Sequence, residues 1–287
     1  MRNKLRLTVQ LLFTIVTNGY LYGFLNGKIY QGGLKYACVP GLNCYSCPGA
    51  VASCPIGALQ ALLNQRGFQV PFAALGVFFV FGSVLGRFVC GWLCPFGLVQ
   101  DLLHKIPLFK KRKRLPGHRV LKYGKYAVLV LLVCVGSMFL FGSFAKVPAF
   151  CKYLCPSGTL LGALPLLGAN EALRSQAGGL FLWKLGILLM IVLLSVKVFR
   201  PFCQYLCPLG AIYGWFNRFS LVQIHWDQEN CVSCGACERA CPVDLSLLEI
   251  SRSLECVRCG KCADACPRGC LHFTGRPGYN STESQSS

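Results

Sequence analysis

Two copies of one cysteine pattern constrain this chain more than any other feature. Cys231-x2-Cys234-x2-Cys237-x3-Cys241-Pro is followed by Cys256-x2-Cys259-x2-Cys262-x3-Cys266-Pro. Three thiolates at this spacing wrap one 4Fe-4S cluster, and the fourth cysteine of each run reaches across to the other. The expected ligand sets are therefore Cys231, Cys234, Cys237 and Cys266 for one cluster, and Cys256, Cys259, Cys262 and Cys241 for its neighbour. Zinc would call for separated Cys-x2-Cys pairs, which fits neither the triple spacing nor the terminal Cys-Pro. A small α+β double 4Fe-4S domain is expected over 221–274, with 275–287 a disordered tail.

The rest of the chain is of another kind. Of 287 residues, 54% are hydrophobic and only 14% charged, a balance outside that of ordinary soluble domains. Four apolar stretches approach the roughly 20 residues that cross a bilayer as helix, at about 7–25, 70–88, 126–144 and 180–199. The expected fold is thus membrane α-helical over 1–220, with four transmembrane helices followed by the ferredoxin-like domain. The N-terminal apolar run exceeds a signal peptide's core and lacks a clear cleavage site, so it reads as a retained first helix.

The formal charge of +19 divides sharply. Through Trp226 there are 23 Lys and Arg against Asp101 and Glu171, whereas Asp227 onward has six basic and eight acidic residues. Ten of the basic residues lie between Arg87 and Lys125, and three precede the first stretch, while the loops 26–69 and 145–179 carry three each. By the positive-inside rule this bias predicts a multi-pass protein of the bacterial cytoplasmic membrane with both termini cytoplasmic. The bilayer is the expected partner of these charges, and nucleic acid is not. Lys184 falls near the outer end of the fourth stretch, where snorkelling accounts for it.

A repeat follows the apolar stretches: Cys54-Pro-Ile-Gly, Cys94-Pro-Phe-Gly, Cys155-Pro-Ser-Gly and Cys207-Pro-Leu-Gly. Three copies have a second cysteine four residues earlier, at Cys90, Cys151 and Cys203; the first has Ala50 there, with Cys44 and Cys47 upstream. The pattern reads as a duplicated two-helix unit. Topology then groups Cys90, Cys94, Cys203 and Cys207 on the inner membrane face, the four thiolates one cluster needs. Cys54, Cys151 and Cys155 fall on the outer face, with Cys44 or Cys47 as the fourth. One or two further 4Fe-4S clusters are expected there. Cys38 and the unused member of the Cys44/Cys47 pair are open to a disulfide or to another centre. Cys134 reads as a packing residue, and Cys270 lies outside the motif.

No histidine lies within an apolar stretch, so intramembrane haem is not expected, and no dinucleotide or Walker fingerprint is present. No catalytic residues are assigned. The chain reads as an electron-transfer component rather than a stand-alone enzyme.

On Cys90-Gly-Trp-Leu-Cys94-Pro, Cys203-Gln-Tyr-Leu-Cys207-Pro and the two ferredoxin motifs, the sequence resembles the membrane ferredoxins of the NapH and NosR group. The resemblance implies a relay between a cytoplasmic donor (ferredoxin or flavoprotein) or the quinone pool and a redox partner at or across the membrane. It differs from NosR-type members in having no FMN-binding domain, so no covalent flavin is expected. Copper-handling proteins of the CcoG or FixG kind share these motifs, which implies an alternative role as a metal reductase or assembly factor.

Overall fold

The computed structural model describes residues 2–63, 72–138, 148–250 and 253–274. The expected disordered tail at 275–287 lies outside the described residues, as does the end of the third apolar stretch.

The expectation of four membrane-crossing helices is corrected by where the helices stop. Among the described residues one helix, Gly179–Lys197, is long and apolar enough to cross a bilayer. The first stretch divides into α1 (Arg2–Thr17) and α2 (Leu21–Asn26). The break is imposed by the cysteine loop: Val51 N donates to Thr17 O, and Tyr20 N donates to Gly49 O. The second stretch yields α4 (Phe72–Leu85), after α3 (Pro55–Leu63), and α4 has only 14 residues. At 1.5 Å per residue that is about 21 Å, short of a hydrocarbon core of about 30 Å. It ends at Gly86, whose φ of 54° suits glycine in a helix-terminating turn. Its final carbonyls, on Ser83 and Val84, accept from the amides of Leu221 and Val222. The third stretch is helical from Gly124 to Met138, with π-helical geometry over Leu129–Val135.

Two short helices follow α4: α5 (Phe88–Trp92) and α6 (Pro95–Lys105). The Gly179–Lys197 helix packs along α6, and α1 packs on α5 and α6. Only 22% of the long helix's apolar run is buried within the structure. Leu182, Trp183, Leu189 and Leu193 face outward from it, as do Leu12 and Ile15 on α1 and Phe79 and Val80 on α4.

The C-terminal domain is held by β1 (Gln223–Trp226) and β2 (Leu271–Thr274), antiparallel with Gln223 opposite Thr274 and Trp226 opposite Leu271. Short helices at Ala236–Ala240 and Lys261–Ala265 pack against one another. One hydrophobic cluster gathers cysteines of both motifs with Ile224, Val243 and Leu271. A separate cluster joins Cys54, Cys90, Cys94, Cys155 and Cys207 around Phe96, Phe202 and Tyr213.

Candidate iron-sulfur centres

In the C-terminal domain, each motif repeats the other's backbone. Ser233 and Gly235 in the first, and Arg258 and Gly260 in the second, have φ values of 51°, 69°, 50° and 79°. Such left-handed turns between cysteines direct successive N–H groups inward, the concavity that suits an anionic cluster. Cys241 and Cys266 share an extended conformation (ψ 116° and 114°), imposed by the proline that follows each.

Two cavities result. One, about 370 Å³ including its open mouth, is lined by Cys231, Cys234, Cys237 and Cys266; the other, about 310 Å³, by Cys241, Cys256, Cys259 and Cys262. The crossed sets read from the motifs thus surround one space each. Cys270 also lines the first cavity, its Sγ donating to Asn230 O at 3.1 Å. Among the described residues no three His, Cys, Asp or Glu side chains close on a point as for a single ion. A cluster binds each thiolate through a different iron, so its ligands surround a volume instead.

The two cavities differ in setting. Cys234 is exposed and Cys231 and Cys266 are half-buried, whereas all four cysteines of the second set are buried. Burial pushes the Cys256 thiol up to about 12, so a thiolate there requires compensating positive charge of the kind iron supplies.

The buried set faces the apolar part of the chain, and the joint is polar and specific. Trp92 Nε1 donates to Arg258 O at 3.0 Å, and Asn217 Nδ2 donates to Cys256 O at 2.8 Å. Arg258 donates to Ser220 Oγ at 2.6 Å and to Asn217 O at 2.8 Å. Arg87 donates to Leu254 O at 2.7 Å and pairs with Glu255 at 3.2 Å, and Lys125 closes on the other Glu255 oxygen. Burial would raise the Glu255 carboxyl, but Arg87 and Lys125 outweigh it and hold it below its ordinary value. A Cβ on Gly91 would fall 2.3 Å from Val257 O, so only glycine admits this approach.

Directly behind that joint lie Cys90, Cys94, Cys203 and Cys207, all buried and close enough for their charges to interact. The local sequence explains their presentation. Proline at the first position of α6, and of the Pro208–Phe216 helix, holds the preceding Cys94 and Cys207 extended, off the helix they begin. Gln100 Nε2 donates to Cys203 Sγ at 3.1 Å. Glycine in Cys-Pro-x-Gly lets the paired helix come close: a Cβ on Gly97 would lie 3.1 Å from Cys90 O, and one on Gly210 2.9 Å from Cys203 O.

The residues that sequence reasoning missed here are Arg87 and Arg200, each three positions before a Cys-x3-Cys-Pro and each fully buried. They exchange partners: Arg87 donates to Cys203 O at 3.1 Å, and Arg200 donates to Cys90 O and, at 3.3 Å, to Gly91 O. Arg200 is held by Asp101 at 2.7 Å and 2.5 Å, and Asp101 also binds Arg6 at 3.1 Å. Several basic residues that the charge bias marked as cytoplasmic anchors are therefore internal ion-pair partners. The exposed Lys113 and Arg114 also pair, with Asp244 of the C-terminal domain, at 3.6 Å and 3.0 Å. The shared spacing of Arg87 and Arg200 was a usable signal.

The remaining membrane cysteines also converge. Cys151 faces Cys155, Cys54 and Cys44, and a Cβ on Gly158 would lie 3.6 Å from Cys44 Sγ and 3.9 Å from Cys155 Sγ. Cys44, not Cys47, thus completes this group; Cys47 stands beside Cys44 at its edge. Cys38 is bridged to Ser53, next to Cys54, and also faces Tyr213, and Cys134 is exposed on its helix. Lys184 does not simply snorkel, because its Nζ donates to Cys151 O at 3.3 Å.

The two groups are neighbours in one core. Gly41, in the loop assigned to the outer side, approaches Cys94: a Cβ there would lie 3.1 Å from Cys94 Cα. Tyr213, fully buried, faces Cys90 and Cys94 of one group and Cys54 of the other, and its hydroxyl has no hydrogen-bond partner among the described residues.

Comparison with known proteins bears on these sites. A 4Fe-4S binding domain model matches residues 53–72, 67–116, 127–168 and 180–226, more than half of the chain, with one Cys-Pro copy in each match. A second 4Fe-4S binding domain model matches 224–245. An uncharacterized protein of Methanocaldococcus jannaschii is 30% identical over 205 residues, 68% of this chain and 75% of its own. The methylamine utilization ferredoxin-type protein MauN of Methylorubrum extorquens is 31% identical over 65% of this chain and 59% of its own. The ferredoxin-type protein NapH of Haemophilus influenzae is 30% identical over 57% of this chain and 50% of its own. No solved structure matches. With the Cys-Pro copies and a ferredoxin motif falling inside these matches, the chain belongs to the ferredoxin-type 4Fe-4S binding family, as an iron-sulfur electron-transfer protein.

Proposed function

We propose that the chain is a membrane-bound electron relay with four 4Fe-4S sites in series. Their order is the exposed ferredoxin set, the buried ferredoxin set, the Cys90/Cys94/Cys203/Cys207 set and the Cys44/Cys54/Cys151/Cys155 set. The observation that carries this reading is the unbroken chain of contacts from a solvent-open set into the buried ones. Cys234 opens to solvent at one end, the second and third sets are wholly buried, and neighbouring sets are joined through Trp92, Asn217 and Tyr213. Bound clusters would supply one-electron carriers at each set. The protein's own part is to hold the thiols, exclude water and compensate charge. The outward apolar side chains of Gly179–Lys197, α1 and α4 support a membrane setting. The exposed set suits a soluble cytoplasmic donor, and the last set, with Cys44 and Cys151 half-buried, a quinone or a redox partner on the membrane.

The test is iron quantification with EPR on the purified full chain, beside Cys90→Ser and Cys155→Ser. The reading expects about sixteen irons per chain and the loss of about four in each variant. Retention of only eight, unchanged by either substitution, would leave an anchored two-cluster ferredoxin.

A second reading, reduction or delivery of copper, is favoured by one observation: Cys38 and Cys47 stand outside both membrane quartets as soft ligands. Copper(I) titration of the full chain against Cys38→Ser/Cys47→Ser decides it; equal uptake by both ends that reading.

A further inference from the structure

Arg87 and Arg200 follow a rule that extends to all four Cys-Pro copies. In each copy, consider the residue four positions before the Cys-Pro cysteine: Ala50, Cys90, Cys151 and Cys203. Each of these carbonyls accepts a hydrogen bond from a basic side chain. Lys35 Nζ donates to Ala50 O at 2.7 Å, Arg200 to Cys90 O, Lys184 Nζ to Cys151 O at 3.3 Å and Arg87 to Cys203 O at 3.1 Å. The pattern holds even at Ala50, where the cysteine is missing, so it follows the backbone of the repeat and not the thiol.

The cations reach these carbonyls by different routes. Arg87 and Arg200 occupy equivalent positions and exchange partners across the repeat. Lys35 comes from the turn Gly33–Tyr36 and Lys184 from the long apolar helix. Different origins with one destination are what a shared charge requirement produces.

We infer that these four side chains are paired charge compensators, Arg87 with Arg200 for one membrane quartet and Lys35 with Lys184 for the other. The inference rests on the reading of both quartets as cluster sites. Four thiolates around an oxidised 4Fe-4S core leave a net double negative charge, which is costly to bury unless cations are placed against it. Arg87 faces Cys90 and Cys203, and Arg200 faces Cys203 and Cys94. Lys184 faces Cys44, Cys151 and Cys155, and a Cβ on Gly158 would be within 4.0 Å of its Nζ as well as of Cys44 Sγ and Cys155 Sγ. Lys35, only 4% exposed, faces Cys44 and Cys47.

The two pairs differ in what else they hold. Arg87 is shared with Glu255 and Arg200 with Asp101, while among the described residues neither Lys35 nor Lys184 has a carboxylate partner. The charge of the lysines is therefore not shared with a carboxylate. Removing positive charge beside a cluster disfavours the added electron and lowers its potential.

The experiment is an EPR-monitored redox titration of the full chain with Lys184→Gln, Lys184→Met and Lys184→Arg, each with iron quantification. Gln keeps a donor without charge, Met removes both, and Arg keeps the charge. The expected result is a downward shift of one cluster's midpoint in both Gln and Met variants, with Arg restoring it. Loss of that cluster's iron in Gln and Met but not in Arg would equally support charge compensation. An unchanged midpoint with full iron in the Gln variant, or iron loss in all three variants, would overturn it. Cys155→Ser run in parallel separates the two failures: if it leaves iron unchanged, the quartet holds no cluster and the functional reading fails instead.

Discussion

The two cysteine quartets of the apolar part use the same Cys-Pro-x-Gly element in two different surroundings. Around Cys90, Cys94, Cys203 and Cys207 the cations are arginines locked to Asp101 and Glu255 and to the backbone of the ferredoxin domain. Around Cys44, Cys54, Cys151 and Cys155 they are lysines with one carbonyl each and no carboxylate among the described residues. The first quartet is thus built into an interdomain joint and the second is not. Rigidity belongs where two units must meet; a site served by flexible ammonium groups is held mainly by its own loop and helices.

That contrast can be broken at several points, of which ligand removal has the largest effect. Cys44→Ser is expected to remove one cluster's iron, about four atoms per chain, while Cys47→Ser leaves iron unchanged. The reverse outcome, read by iron analysis, would move the loop's register in the second quartet. Next comes Arg200→Met, which leaves Asp101 with Arg6 as its remaining cation and is expected to cost about 3 kcal/mol in stability, the lower end for breaking a buried pair. Lys184→Met should cost less, because no buried carboxylate loses a partner; chemical denaturation of the two variants side by side measures the difference.

A smaller effect is expected at the joint itself. Gly91→Ala places a methyl group against Val257 O, an overpacking cost of about 1–3 kcal/mol. It should slow electron passage from the ferredoxin domain to the Cys90 quartet without loss of iron, as rapid-freeze EPR would record.

The smallest is an acid response of the same joint. Because Glu255 is held below its usual value of 4.5, its contribution is complete above that pH and is lost as pH falls through the lowered value. Trp92, bonded to Arg258 O across the joint, should report the loosening by fluorescence, and Glu255→Gln should abolish the step. A step of equal size in that variant would assign it to another carboxylate.

The two C-terminal cysteine sets were legible because their members lie within 36 residues and the spacing itself encodes how they gather around a space. The repeat was legible for the same reason, but the grouping of Cys90 and Cys94 with Cys203 and Cys207 was read from a four-span topology that the structure does not have. The helices were not. Apolar composition marked 7–25 and 70–88 as spans, but what ends those helices is long-range: Val51 on Thr17, and Leu221 and Val222 on Ser83 and Val84. Charge was misread likewise. Arg6, Arg87 and Lys125 count as basic flanks in sequence, yet their partners, Asp101 and Glu255, come from elsewhere in the chain.

The sequence by itself determined the chemistry of this protein: thiols in cluster spacing, prolines that hold a cysteine extended, and glycines where backbones meet. These are local preferences of the chain, set within a few residues. Only the tertiary structure decided that the two quartets share one core around Tyr213, that Cys44 lies against Cys151 and Cys155, and that each Cys-Pro copy receives a cation. Those outcomes depend on which distant side chains a buried carbonyl or carboxylate meets. Burial makes an unpaired polar group too costly to leave, but it does not name the partner in advance.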